Sequence, residues 1–65
     1  MLVEIIGLSQ GTIEVELQVI PRVGEHLKVL YGPDAEVEGT VTVVEHYINQ
    51  HDQQQKVILT IRPVN

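Results

Sequence analysis

A chain of 65 residues with a formal charge of −5, no cysteine, no tryptophan and no phenylalanine excludes more than it names. It has the length of one domain, 1–65, that removes only roughly 60 % of its unfolded surface from water, and such a core supplies on the order of 3 to 5 kcal/mol. Without cysteine there is no disulfide to support that core and no thiolate for catalysis or redox work, which favours a reducing compartment.

The first element expected is a near-continuous apolar strand from Leu2 to Leu8, which lacks the basic flank and the length of a signal-peptide core. No apolar run here is long enough for a membrane-spanning helix, so a soluble cytoplasmic protein without a membrane partner is expected. Ser9-Gln10-Gly11 reads as a hairpin connection. In the next strand, Thr12 to Ile20, Ile13, Val15, Leu17 and Val19 alternate with Thr12, Glu14, Glu16 and Gln18, the pattern of a strand with one dry face and one wet face.

Pro21 ends that strand where its missing N–H does no harm, and the chain restarts after Gly24 as a third strand from His26 to Tyr31. Pro33 pre-sets φ in the turn Tyr31-Gly32-Pro33-Asp34-Ala35. A long strand from Glu36 to Ile48 contains Gly39, the expected site of a bulge or bend that lets one strand serve both halves of a barrel. Val44, Tyr47, Ile48 and His51 also fit one helical face, which leaves room for a short helical turn near residues 44–52, although Thr40-Val41-Thr42-Val43-Val44 favours strand. A polar loop, Asn49 to Gln55, then precedes a last strand from Lys56 to Arg62. The expected fold is all-β: a five-stranded antiparallel meander curled into a small SH3-like barrel.

The segments I-P-R-V-G-E-H-L-K-V, V-E-G-T-V-T-V-V-E-H and V-I-L-T-I-R-P resemble short bacterial and phage β-barrel proteins of unassigned function, and SH3-like or related small barrels. In such barrels a hydrophobic-Gly-acid step, here Val23-Gly24-Glu25, often precedes a strand. The resemblance implies the small barrel and assigns no activity and no site residue.

Chemistry is largely excluded by residue type. The four cations, Arg22, Lys28, Lys56 and Arg62, are scattered, and the only aromatic side chains are Tyr31 and Tyr47. That argues against nucleic acid, which needs clustered charge and stacking platforms. His46, His51 and Asp52 make at most an open three-ligand site with no cysteine to complete it, and His26 belongs to a wet face, so no metal and no cofactor are expected. The one serine, Ser9, has no G-x-S-x-G frame. The pairs Glu14/Glu16 and Glu36/Glu38 project from solvated faces, and no enzyme is expected.

Surplus apolar residues are the stronger signal. Strict alternation places Leu30, Val44 and Ile58 opposite the main core, and with Tyr47 and Ile48 they form a patch that barrel closure or a partner must cover. The expectation is an interaction or self-assembly module that binds itself, as a homo-oligomer, or another protein through that patch and through Arg22, Asp34 and His51 on the loops. One alternative is a phage-type inhibitor or decoy with a continuous acidic face of Glu14, Glu16, Glu36, Glu38 and Glu45. Another is a small-ligand binder with a pocket between subunits that uses Tyr31, Tyr47 or His46.

Overall fold

The computed structural model describes residues 1–8 and 11–63, and every regular element within them is a strand: β1 (Leu2–Ile6), β2 (Ile13–Glu16), β3 (His26–Gly32), β4 (Ala35–Asn49) and β5 (Gln54–Pro63). Among these residues no helix is long and apolar enough to cross a membrane. Ser9 and Gln10 of the expected first turn lie outside the described residues, whereas Gly11 donates its N–H to the carbonyl of Leu8 at 3.2 Å.

The strands lie in one sheet in the order β2-β1-β5-β4-β3. A β1–β2 hairpin and a β3–β4–β5 meander are joined by a parallel ladder between β1 and β5, from Val3↔Val57 to Ile6↔Thr60. This corrects the expected barrel: the sheet is mixed rather than an antiparallel meander, and it is open, with β2 and β3 as its two edges. Period-two alternation reports which side chains share a face, but it carries no information on which strands are neighbours.

The core lies on one face, where Val3 and Ile5 of β1, Val15 of β2, Val41 of β4 and Val57, Leu59 and Ile61 of β5 are buried together. Leu8, Leu17 and Ile20 from the connections, with Leu27, Val29 and Val44, pack against it. The second strand is shorter than its alternation suggests because the segment after Glu16 must travel to the far edge of the sheet. Leu17 still donates to the Met1 carbonyl at 2.8 Å, and the chain then leaves the edge, with Leu17 and Ile20 turned onto the core.

The step into β3 has a specific construction. Gly24 has φ +94, Glu25 donates its N–H to the Arg22 carbonyl at 3.0 Å, and the Glu25 carboxylate accepts the Arg22 N–H at 2.7 Å. Val41 opposes both Gly24 and Glu25: its carbonyl accepts from Gly24 at 2.8 Å and its N–H donates to the Glu25 carbonyl at 2.9 Å. Two residues facing one, with a left-handed glycine first, is a bulge that glycine alone forms without steric cost.

The bulge expected at Gly39 lies at Thr42 instead, where the β4–β5 register passes from Val41↔Ile61 to Val43↔Thr60. Gly39 stays in register, paired with Leu27 and Pro63, and its missing side chain serves a close approach: a Cβ there would run into the carbonyl oxygen of Arg62. The extra residue at Thr42 reverses the alternation beyond it. Val41 and Val44 therefore both face the core, and Val43 faces the other side, 49 % exposed. Val44 thus leaves the surplus set expected on the second face.

The helical turn considered for residues 44–52 and the long loop Asn49 to Gln55 are also corrected. β4 continues to Asn49, pairing with β5 as far as Asn49↔Gln54, because β5 offers a continuous ladder that outweighs a local helical pattern. The reversal takes only residues 50–53. Asn49 Oδ1 accepts from the His51 N–H at 2.9 Å, Asp52 Oδ1 accepts from the Gln54 N–H at 3.1 Å, and Gln53 takes φ +61.

Candidate interaction surface

The candidate surface is the far half of the β4–β5 ribbon. On one side the ladder of β3 with β4 ends at His26↔Thr40 and the Glu25 bonds to Val41. Beyond Val41, β4 runs from Val43 to Asn49 with β5 on one edge and, among the described residues, no strand on the other. Since Val41 directs its N–H and carbonyl to the β3 side, antiparallel alternation makes Thr40 and Arg62 a hydrogen-bonded pair of the β4–β5 ladder. Alternation along β5 then assigns Thr60, Ile58, Lys56 and Gln54 to the same ladder, opposite Val43, Glu45, Tyr47 and Asn49. The backbone groups of Val44, His46 and Ile48 consequently point out of the sheet edge, with no strand partner among the described residues.

That edge is apolar on both sides. Val44 is half-buried against the core and Ile48 is 55 % exposed on the same face, while Val43 and Tyr47, 49 % and 44 % exposed, lie on the other. The Lys56 ammonium sits 5.6 Å from the Tyr47 ring centroid and 3.5 Å from Glu4. Two open depressions flank the arm. One, of about 450 Å³, is lined by Tyr47, Gln54, Gln55 and Lys56; the other, of about 360 Å³, includes Met1, Leu2, Ile20, His46 and Val57.

The sequence-predicted interaction residues are not brought together. Leu30 is 67 % exposed at the far end of β3, Ile58 is half-buried on the second face in mid-sheet, and Val44 packs against the core. Tyr47 and Ile48 are neighbours on the arm that project from opposite faces. Arg22, Asp34 and His51 sit on three separate turns, with Asp34 and His51 at opposite ends of β4. Tyr31 lines neither depression, and Tyr47 and His46 line different ones.

The acidic residues form two groups rather than one continuous face. Glu14 and Glu16 lie on edge strand β2, Glu14 directly opposite Glu4, and Glu45 lies beyond Ile58. At the other end Glu38 contacts His26 at 2.7 Å and Glu36 lies 3.9 Å from Lys28. Arg62, paired with Thr40 in the same ladder as Ile58, stands between the two groups. Among the described residues no three histidine, aspartate or glutamate side chains converge as metal ligands.

Sequence reading missed the unpaired edge of β4, together with Val43 and Glu45 as members of the arm. Val43-Val44 interrupts alternation, but Ile5-Ile6 and Val57-Ile58 do so in regular register, so the sequence alone does not mark this bulge. No family model, curated protein or solved structure matches the chain.

Proposed function

We propose that the chain is a non-enzymatic protein-interaction module that binds by strand addition to the free edge of the β4–β5 arm. The observation that carries this reading is the outward-facing backbone of Val44, His46 and Ile48 on a strand whose side chains are apolar on both faces. An unpaired edge of this kind is a template for another strand, with main-chain hydrogen bonds supplying affinity and alternate side chains supplying selectivity. Natural sheets usually guard such edges with lysine, proline or an inward charge. Val43 to Asn49 carries no lysine and no proline, and its single carboxylate, Glu45, points away from the core face. The cysteine-free composition fits a reducing, cytoplasmic setting.

An acidic decoy has weaker support, because two carboxylates of the required face, Glu36 and Glu38, lie beside Lys28 and His26. Cross-linked capture with the wild-type chain and with an edge-blocked His46→Pro chain tests the main reading. Partners, including the chain itself, should be retained by the first and lost from the second. Light scattering that shows a strict monomer, combined with identical capture by both chains, overturns it.

A further inference from the structure

We propose that the occupant of this edge is a second copy of the chain, paired antiparallel about a two-fold axis through His46. The inference rests on the strand-addition reading and names its partner. Its first support is length. The free edge is bounded by the bulge at Thr42 on one side and by the 50–53 turn on the other, which leaves Val43 to Asn49, a segment centred on His46. Self-pairing about His46 uses all of it, Val43 opposite Asn49 of the second copy at one end and the reverse at the other.

Backbone direction gives the second support. In an antiparallel pair, residues that exchange hydrogen bonds must both point into the new ladder. With the axis at His46 the outward residues meet each other: Val44 faces Ile48 of the second copy, and His46 faces its own equivalent. The ladder therefore closes without moving any residue that already pairs with β5.

Side chains give the third support, and it distinguishes the register. On the core side, Val44 adjoins Ile48 of the second copy, an apolar cross-strand pair that covers the 55 % exposed isoleucine. On the other side, Glu45 stands opposite Tyr47 of the second copy, whose β5 neighbour is Lys56. Glu45 has no ion pair in its own chain among the described residues, and this register sets it across from a tyrosine rather than from another carboxylate, with the Lys56 ammonium of that copy one strand further on. An axis at Glu45 would oppose two like charges, which is unfavourable directly across strands. An axis at Tyr47 would leave Val44 opposite the turn residue Gln50 and Glu45 opposite Asn49. The isologous pairing about His46 is the one with complementary partners on both faces.

Two measurements on the full chain test this. Size-exclusion with light scattering should give a mass of two chains for the wild type and of one chain for His46→Pro. Proline at position 46 removes only an outward N–H, so the variant should keep its β-sheet circular dichroism. Second, because the chain has no native cysteine, Glu45→Cys chains mixed with Tyr47→Cys chains in a glutathione redox buffer should form the 45–47 heterodisulfide in preference to either homodisulfide. A folded His46→Pro chain that remains dimeric, or cross-linking without preference for the 45–47 pair, overturns the proposal. A monomeric wild type that still captures a partner lost from His46→Pro overturns self-pairing alone, whereas a monomer with no such partner overturns the strand-addition reading as well.

Discussion

The two halves of β4 have similar β-favouring sequences and opposite circumstances. From Ala35 to Val41 the strand has β3 and its Glu25 lead-in along one edge, joined from Gly39 by β5 along the other, and its inward valines, Val37 and Val41, are 5 % and 1 % exposed. From Val43 to Ile48 it has β5 alone, and those two residues are 49 % and 55 % exposed. Strand identity is thus local, whereas burial follows the face a side chain takes: Val37 is buried with β3 alone beside it, and Val43 is exposed although β5 and β1 extend its row. The first half supplies stability, and the second has surface left for a partner.

The largest test of that division removes volume from a row that β1 also reaches and from the end of the arm, which it does not. Leu59 is fully buried in the centre of the sheet, and Leu59→Ala should cost about 2–5 kcal/mol. That is comparable with the roughly 3–5 kcal/mol that a core of this size provides, so the variant should be largely unfolded in water. Ile48→Ala on the arm should change the stability of the monomeric chain by no more than about 0.5 kcal/mol. Urea unfolding followed by circular dichroism, on the His46→Pro background to remove any association, separates the two. Equal losses at both positions would mean that the arm belongs to the same packed unit as the core.

A smaller effect is expected at the junction of the halves. Gly39→Ala places a methyl group against the Arg62 carbonyl, which is backbone and can yield only by displacing the end of β5. The expected cost is about 1–3 kcal/mol. Deleting Thr42 should cost less, under about 2 kcal/mol, because the deletion removes the bulge and its 3.2 Å hydrogen bond to the Thr60 carbonyl but keeps every pair from Val43↔Thr60 to Asn49↔Gln54. Cross-strand Hα contacts in nuclear magnetic resonance spectra check the register directly. A deletion variant with slipped pairs would show that Thr42 sets the register as well as the bend.

The same junction shows what sequence could and could not convey. Alternation located five strands near their observed positions, including the wet side of Glu14 and Glu16 and the dry side of Val57, Leu59 and Ile61. Local turn chemistry was legible too, as in the proline at position 33 between Gly32 and Ala35. The parallel β1–β5 contact was not legible, because both strands are apolar runs that could sit beside any other. Gly39 misled for a related reason: a strand glycine signals either a bulge or a close backbone approach, and only the position of Arg62 decides between them. The placement of Val44 failed separately, because strict alternation runs through position 42, where one extra residue transfers every later side chain to the opposite face.

Gln53 holds φ +61 at the arm tip, a conformation costing a non-glycine residue about 1–2 kcal/mol, whereas glycine adopts it freely but loses about 0.5–1 kcal/mol more backbone entropy on folding. Gln53→Gly should therefore stabilise the turn by about 0.5–1 kcal/mol. Where that gain is registered depends on the coupling of the two halves. If the tip of the arm opens independently, as expected of the two-stranded stretch from Tyr47↔Lys56 to Asn49↔Gln54 that β1 does not reach, hydrogen exchange should slow at Tyr47 and Asn49 while the urea midpoint of the whole chain stays fixed. If the midpoint rises and exchange slows equally at Val3, Leu59 and Tyr47, arm and core open as one unit. The edge offered by β4 would then be as rigid as the sheet that carries it, and strand addition would find it already formed.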